Sequence, residues 1–150
     1  MRIGKLVIIG VGLIGGSFAL SLRRAGQVGQ VVGVGRSREN LERALELGVI
    51  DSWVQDAAVA VQDADMVLVA TPVGQMAQVF AAIAPVLPPG AIVTDAGSTK
   101  CDVVALMRQH LPRQVSRCVP AHPIAGSELS GAAAAQFALF ENRTVVLAPL

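Results

Sequence analysis

Two segments of the chain carry residue types and spacings suited to chemistry on a small molecule. The first is Gly10-Val11-Gly12-Leu13-Ile14-Gly15, a Gly-x-Gly-x-x-Gly pattern that directly follows an apolar run and opens a helix-compatible stretch. In that context the first glycine permits a tight turn, the second lets backbone approach a pyrophosphate, and the third lets helix pack on strand. Backbone N–H groups at the helix start, those of Leu13 and Ile14, then meet the anion with help from the helix dipole. A glycine-rich turn chosen only for packing is the competing reading. The second segment is His122-Pro123, in which the proline biases the histidine toward extended backbone at a strand end. An imidazole with an ordinary pKa near ~6.5 accepts a proton at neutral pH. Ser98, after a neighbouring apolar run, is placed to orient the same hydroxyl. A hydrogen-bonded structural histidine is the alternative, and only geometry separates the two.

The residues after the second apolar run speak to cofactor choice. A site preferring NAD places Asp or Glu about 20 residues past the last glycine, to hold the ribose 2′-hydroxyl. Gly35 stands there instead, followed by Arg36, Ser37 and Arg38. A missing carboxylate beside a guanidinium suits a 2′-phosphate, so NADP is expected over NAD, with NAD use still open. The structural alternative has Ser37 capping the next helix and Arg38 pairing with Glu42 one turn on. Thr71-Pro72 closes another apolar run where a nucleotide could lie, although a strand-ending turn explains it equally well.

The elements that must position these residues alternate along the chain. Apolar runs at residues 6–9, 31–34, 66–70, 91–94, 115–119 and 144–148 read as strands, with a further short one near 49–53. Residues 14–24, 39–47, 74–87 and 100–111 are helix-compatible, with breaks at Gly26, Gly48, Pro88-Pro89-Gly90 and Pro112. This order predicts a doubly wound α/β fold with a mainly parallel sheet, one domain over residues 1–150. Ligands of such sheets bind beyond the carboxyl ends of the strands, and the unusual glycine and polar clusters all fall at that edge. Thr99 with Asp102 resembles a capping box, and Ser127 with Glu128 a second helix cap.

Composition narrows the function classes. The chain is 53% hydrophobic but only 3% aromatic, which suits strands buried on both faces better than a base-stacking platform. Twelve basic against eleven acidic residues leave no broad field for nucleic acid or anionic lipid. Cys101 and Cys118 have no partner spacing for a disulfide framework or a zinc site, so no metal and a reducing, cytoplasmic setting are expected. Arg2 and Lys5 before an apolar stretch superficially resemble a signal peptide, but glycines at 10, 12, 15 and 16 interrupt it. No membrane association is expected.

Three segments together carry a family resemblance: Gly10-Val11-Gly12-Leu13-Ile14-Gly15-Gly16-Ser17, Asp95-Ala96-Gly97-Ser98-Thr99-Lys100, and His122-Pro123-Ile124-Ala125-Gly126-Ser127-Glu128 with Phe140-Glu141-Asn142 downstream. The chain resembles the nucleotide-binding domain of the prephenate/arogenate dehydrogenases of tyrosine biosynthesis. The resemblance implies a Rossmann-type dinucleotide-binding domain and an NADP-linked oxidative decarboxylation of prephenate or arogenate. It implies that His122 takes up the proton of the substrate's 4-hydroxyl, that Ser98 shares that hydroxyl, and that Ser127 and Glu128 line the substrate side. It also implies a helical domain beyond Leu150 that completes the substrate pocket and forms a homodimer. On that expectation Ala132 to Ala135, Phe137, Leu139 and Phe140 face the further domain, whereas a buried helix stripe is the ordinary alternative. Two other readings stay open: a reductase or β-hydroxyacid dehydrogenase using Lys100 as its base, and an NADP-binding regulatory module without turnover.

Overall fold

A computed structural model describes residues 2–150. The first strand, β1 (Ile3–Ile9), shows how the sheet is built. Leu6 and Ile8 enter one core with Val31 and Leu68, while Val7 and Ile9 enter the other with Val67 and Val93. Both faces of a pleated strand are therefore covered, which is why the sequence reads as an unbroken apolar run.

Strands β2 (Val28–Val34), β3 (Ser52–Val54), β4 (Met66–Val69), β5 (Ile92–Asp95) and β6 (Cys118–Val119) join β1 in one parallel sheet of order β3-β2-β1-β4-β5-β6. Helices α1 (Leu13–Arg24) and α2 (Arg38–Glu46) supply Ala19, Leu20, Leu41 and Ala44 to one face. On the opposite face lie α3 (Ala57–Ala60), α4 (Val73–Ile83) and α5 (Lys100–His110), contributing Met76, Phe80, Ile83, Val103 and Met107. Strand order reverses between β1 and β4, and the crevice opened there by diverging loops is where a doubly wound sheet binds ligand.

The expected doubly wound α/β architecture is the observed one, with differences near its ends. Residues 115–119 are not one strand: Val115–Arg117 form a single 3-10 turn that carries the chain from α5 to the sheet, and only Cys118–Val119 pair. The expected last strand is shorter, β8 (Val145–Leu147), and leaves the parallel sheet to pair antiparallel with β7 (Ala121–Pro123). Pro120 separates β6 from β7 by removing a ladder donor, and an antiparallel pair requires no crossover helix. Pro72 sits at the N-cap of α4 rather than closing β4, which ends at Val69. The four-residue α3, capped by Asp56 accepting from the Ala58 N–H at 2.9 Å, is too short to leave a periodic signal. Among the described residues no helix is long and apolar enough to cross a membrane.

Candidate active site

The three glycines of the turn between β1 and α1 have three separate reasons to be glycine. Gly10 has φ +99°, and a Cβ there would stand 2.8 Å from the Ala70 carbonyl oxygen. A Cβ on Gly15 would stand 2.3 Å from the Gly10 carbonyl oxygen and 2.8 Å from Ile8 Cγ2, so the helix could not lie as close to the sheet. Gly12 has nothing within 4 Å of its Cβ position: its backbone is bare toward the cleft. Gly12 is also the N-cap of α1, and no side chain caps that helix. The first N–H groups of α1 are accordingly left for a ligand, with the positive end of the helix dipole behind them.

A cleft of about 700 Å³ opens at this point, along the carboxyl ends of the strands. Gly10, Gly12, Arg36, Ser37, Thr71 and Pro72 all line it, so residues distant in sequence are brought to one place. Among the described residues Arg36 is the only charged one lining it, and no carboxylate is among them. Arg36 is exposed, and its carbonyl is held by the Gln55 amide at 2.8 Å. Thr71 Oγ1 is buried and has no hydrogen-bond partner among the described residues. A bare glycine backbone and an uncapped helix start together fit the pyrophosphate of a dinucleotide.

Other expected members of this set are engaged elsewhere. Leu13 is buried, and the Ile14 side chain lines an apolar groove on the sheet face beside α1, so only their backbone can serve the cleft. Ser37 Oγ accepts from the Asn40 N–H at 3.2 Å, as a helix cap does. Arg38 is absent from the lining: its Nε donates to Glu42 at 2.8 Å and its guanidinium lies 5.6 Å from the centre of the Trp53 ring. For Ser37 and Arg38 the local alternative is what the structure contains, because both partners lie within one helical turn.

At the other end of the edge, His122 lies half-buried in β7, opposite Val146 of β8. Ser98 is exposed in the loop between β5 and α5. Thr99 is the N-cap of α5 but makes no side-chain cap bond, so the expected capping box is not formed. Ser127 Oγ accepts from the Leu129 N–H at 3.2 Å within an exposed loop, not at a helix start, and Glu128 is exposed in the same loop. Lys100 is bound to the buried Asp95. The expected apolar stripe divides: Ala132 and Ala134 are buried within this chain, Leu139 and Phe140 are half-buried, and Phe137 is 52% exposed. The segment 132–135 packs on α1, where a Cβ on Gly16 would stand 2.8 Å from that of Ala135.

Two polar residues in the site escaped sequence reasoning. Asn40 donates to the Val11 carbonyl at 2.7 Å and accepts at 2.8 Å from the N–H of Ala132, 92 positions beyond it, tying the glycine turn to that distant segment. Asp95 is 1% exposed and accepts from two backbone N–H groups as well as from Lys100. Its presence in the Asp95–Lys100 motif was the one available signal, and spacing alone gave it no partner.

Comparison with known proteins shows the family and the fold. Residues 18–150 match the family model described as prephenate dehydrogenase, nucleotide-binding domain. A prephenate dehydrogenase of Lactococcus lactis subsp. cremoris is 39% identical over 145 residues, covering 95% of this chain and 40% of that protein. The crystal structure of a prephenate dehydrogenase from A. aeolicus, in complex with hydroxyphenyl propionate and NAD+, superposes with TM-score 0.90 at 33% identity, over 100% of this chain and 52% of that one. Synechocystis arogenate dehydrogenase superposes with TM-score 0.87 at 34% identity, over 97% of this chain and 50% of that one. The chain thus spans about half or less of the length of these relatives.

Proposed function

We propose, because the chain belongs to the prephenate dehydrogenase family through its nucleotide-binding domain, that it is the cofactor-binding half of an NADP-linked dehydrogenase that oxidatively decarboxylates prephenate, arogenate or both. The observation that carries the cofactor choice is a cleft with one guanidinium, Arg36, and no carboxylate in its lining. A 2′-phosphate gains a charge-assisted bond there and meets no like charge. When bound, the dinucleotide would supply the hydride acceptor for oxidation at C4 of the cyclohexadienyl ring, with loss of the ring carboxylate as CO₂ and aromatisation of the ring.

On this reading the chain's own residues divide the work. The backbone of Gly12, Leu13 and Ile14 holds the pyrophosphate, Arg36 the 2′-phosphate, and Thr71 Oγ1 a polar group of the nucleotide. His122 takes the proton of the 4-hydroxyl as the carbonyl forms, and Ser98 donates to or accepts from the same oxygen. A positioned base of this kind is typically worth about 10² to 10⁴ in rate. Ser127 and Glu128 are assigned to the substrate side, supported by their exposure in the loop that follows His122. The rest of the substrate pocket is assigned to a further domain outside these residues. The exposed Phe137 and β8 face, with Val145, Val146 and Leu147 each at least 45% exposed, supports that placement.

The test is turnover by the complete polypeptide, read as nicotinamide reduction with prephenate and with arogenate, for wild type and His122→Asn. Wild type is expected to turn over at least one substrate, and His122→Asn to lose about 10²-fold or more in kcat while its nucleotide affinity stays unchanged. Turnover of neither substrate by wild type would overturn the reaction. Undiminished turnover by His122→Asn would overturn the role of the base.

A further inference from the structure

A single buried carboxylate anchors the backbone beside both residues assigned to the substrate hydroxyl. Asp95 ends β5, and its Oδ2 accepts from the Gly97 N–H at 2.7 Å and from the Lys100 ammonium. Its Oδ1 accepts from the Ala121 N–H at 3.0 Å. Gly97 immediately precedes Ser98, and Ala121 immediately precedes His122. We infer that Asp95 is a positioning residue that sets the mutual placement of Ser98 and His122, an inference that rests on the reaction proposed above.

The topology explains why a side chain has this task. The β5–β6 ladder ends with Thr94 opposite Val119, and the next residue, Pro120, has no N–H with which to continue it. Where the backbone ladder stops, the Asp95 carboxylate crosses to the following donor, Ala121. Its two oxygens are committed to different segments, so rotation of the side chain breaks at least one tie. The turn is closed tightly around it: a Cβ on Gly97 would stand 3.0 Å from Asp95 Oδ2 and 3.0 Å from Val73 Cγ2. Burying a carboxylate is costly unless it is paired, and Lys100 supplies the pairing. That bond also takes the only lysine at this edge out of contention as a free base. Packing alone does not call for a charge here, whereas a fixed acceptor with two outward oxygens does what an amide cannot, since one side of Asn is a donor.

The experiment is a double-mutant cycle in the complete polypeptide, with Asp95→Asn, His122→Asn and the pair, measuring kcat, KM and, by calorimetry, nucleotide affinity. Asp95→Asn is expected to lower kcat about 10- to 100-fold, the scale of a small misplacement of reacting groups. KM and nucleotide affinity are expected to hold. In the His122→Asn background the same substitution is expected to cost markedly less, because only Ser98 is left to misplace. An equal loss in both backgrounds, or nucleotide affinity falling in step with kcat, overturns the inference in favour of a general structural role. Gly97→Ala, whose methyl crowds the same carboxylate oxygen, carries the same comparison if Asp95→Asn does not fold. Absence of wild-type turnover overturns the proposed reaction, and this role with it, and the wild-type arm separates that outcome from the others.

Discussion

Replacing Arg36 by alanine probes the cofactor cleft directly, because it removes the only charge from the lining. A charge-assisted hydrogen bond contributes roughly 1.5–3 kcal/mol. Arg36 is exposed, so solvent screens it and the lower end of that range applies. About 1.4 kcal/mol is one decade in affinity, so NADP+ binding is expected to weaken roughly tenfold while NAD+ binding is unchanged. Raising the salt concentration should narrow the NADP+ preference of wild type and leave the Arg36→Ala variant unaffected. The converse substitution, Gly35→Asp, is sterically permitted: a Cβ there meets Leu41 Cδ2 at 3.5 Å, an ordinary contact. It places a carboxylate where a ribose hydroxyl would be held and a 2′-phosphate repelled, so preference should pass to NAD+. Calorimetric titration of the chain with each nucleotide checks both variants. If wild type binds NAD+ and NADP+ equally, or if Arg36→Ala weakens both alike, the assignment of Arg36 to the 2′-phosphate is wrong.

Two further outcomes follow from the same geometry. Gly12→Ala, with nothing within 4 Å of the added methyl, should melt like wild type yet bind nucleotide poorly, whereas Gly15→Ala, 2.3 Å from a carbonyl oxygen, should lower the melting temperature as well. A combination of thermal melts and calorimetry distinguishes the two, and equal behaviour of both variants would count against separate roles for the glycines. Burial pushes the Cys118 thiol up to about 11, and its Sγ donates to the Gln114 carbonyl at 3.4 Å, while Cys101 is exposed. The thiolate is the reactive form, so at pH 8 a thiol reagent should modify one cysteine quickly and the second only after denaturation. Rapid reaction of both in the folded protein would show Cys118 to be accessible.

The parts of this fold that were legible are those whose signal is local or periodic. Strands β1, β2 and β4 send side chains into both cores and leave apolar runs, and the glycines between β1 and α1 mark a turn that few other residues can make. Strands of two or three residues, such as β6, β7 and β8, are too short to show a period, so residues 144–148 read as a strand without revealing its separate antiparallel pairing with β7. Segment 132–135 reads either as a face for a further domain or as a buried helix stripe, yet it packs on α1 and is tied by Asn40, neither of which is near in sequence. The same limit hid Asn40 and Asp95 themselves. A polar side chain that bonds backbone 26 or 92 positions away carries no spacing rule, and only the assembled sheet reveals its partners.

Those two residues bear on how the halves of the proposed site are kept in step. After His122 the chain crosses the loop 124–130 and returns over α1, where Gly131 lines the nucleotide cleft and Ala132 is tied by Asn40 to the carbonyl of Val11 in the glycine turn. Ser17 Oγ adds a second tie by accepting from the Gln136 N–H at 2.8 Å. His122 is therefore tied on its N-terminal side, through Ala121 and Asp95, to the end of β5, while the returning segment is tied separately to the start of α1. Hydride transfer and proton uptake at one carbon–oxygen unit need donor, acceptor and base held together to a fraction of an ångström. Rigid elements give that precision more readily than loops, and here buried polar side chains bring two loops into the frame of the sheet. The loop between the two ties carries the exposed Ser127 and Glu128, the residues proposed for the substrate side.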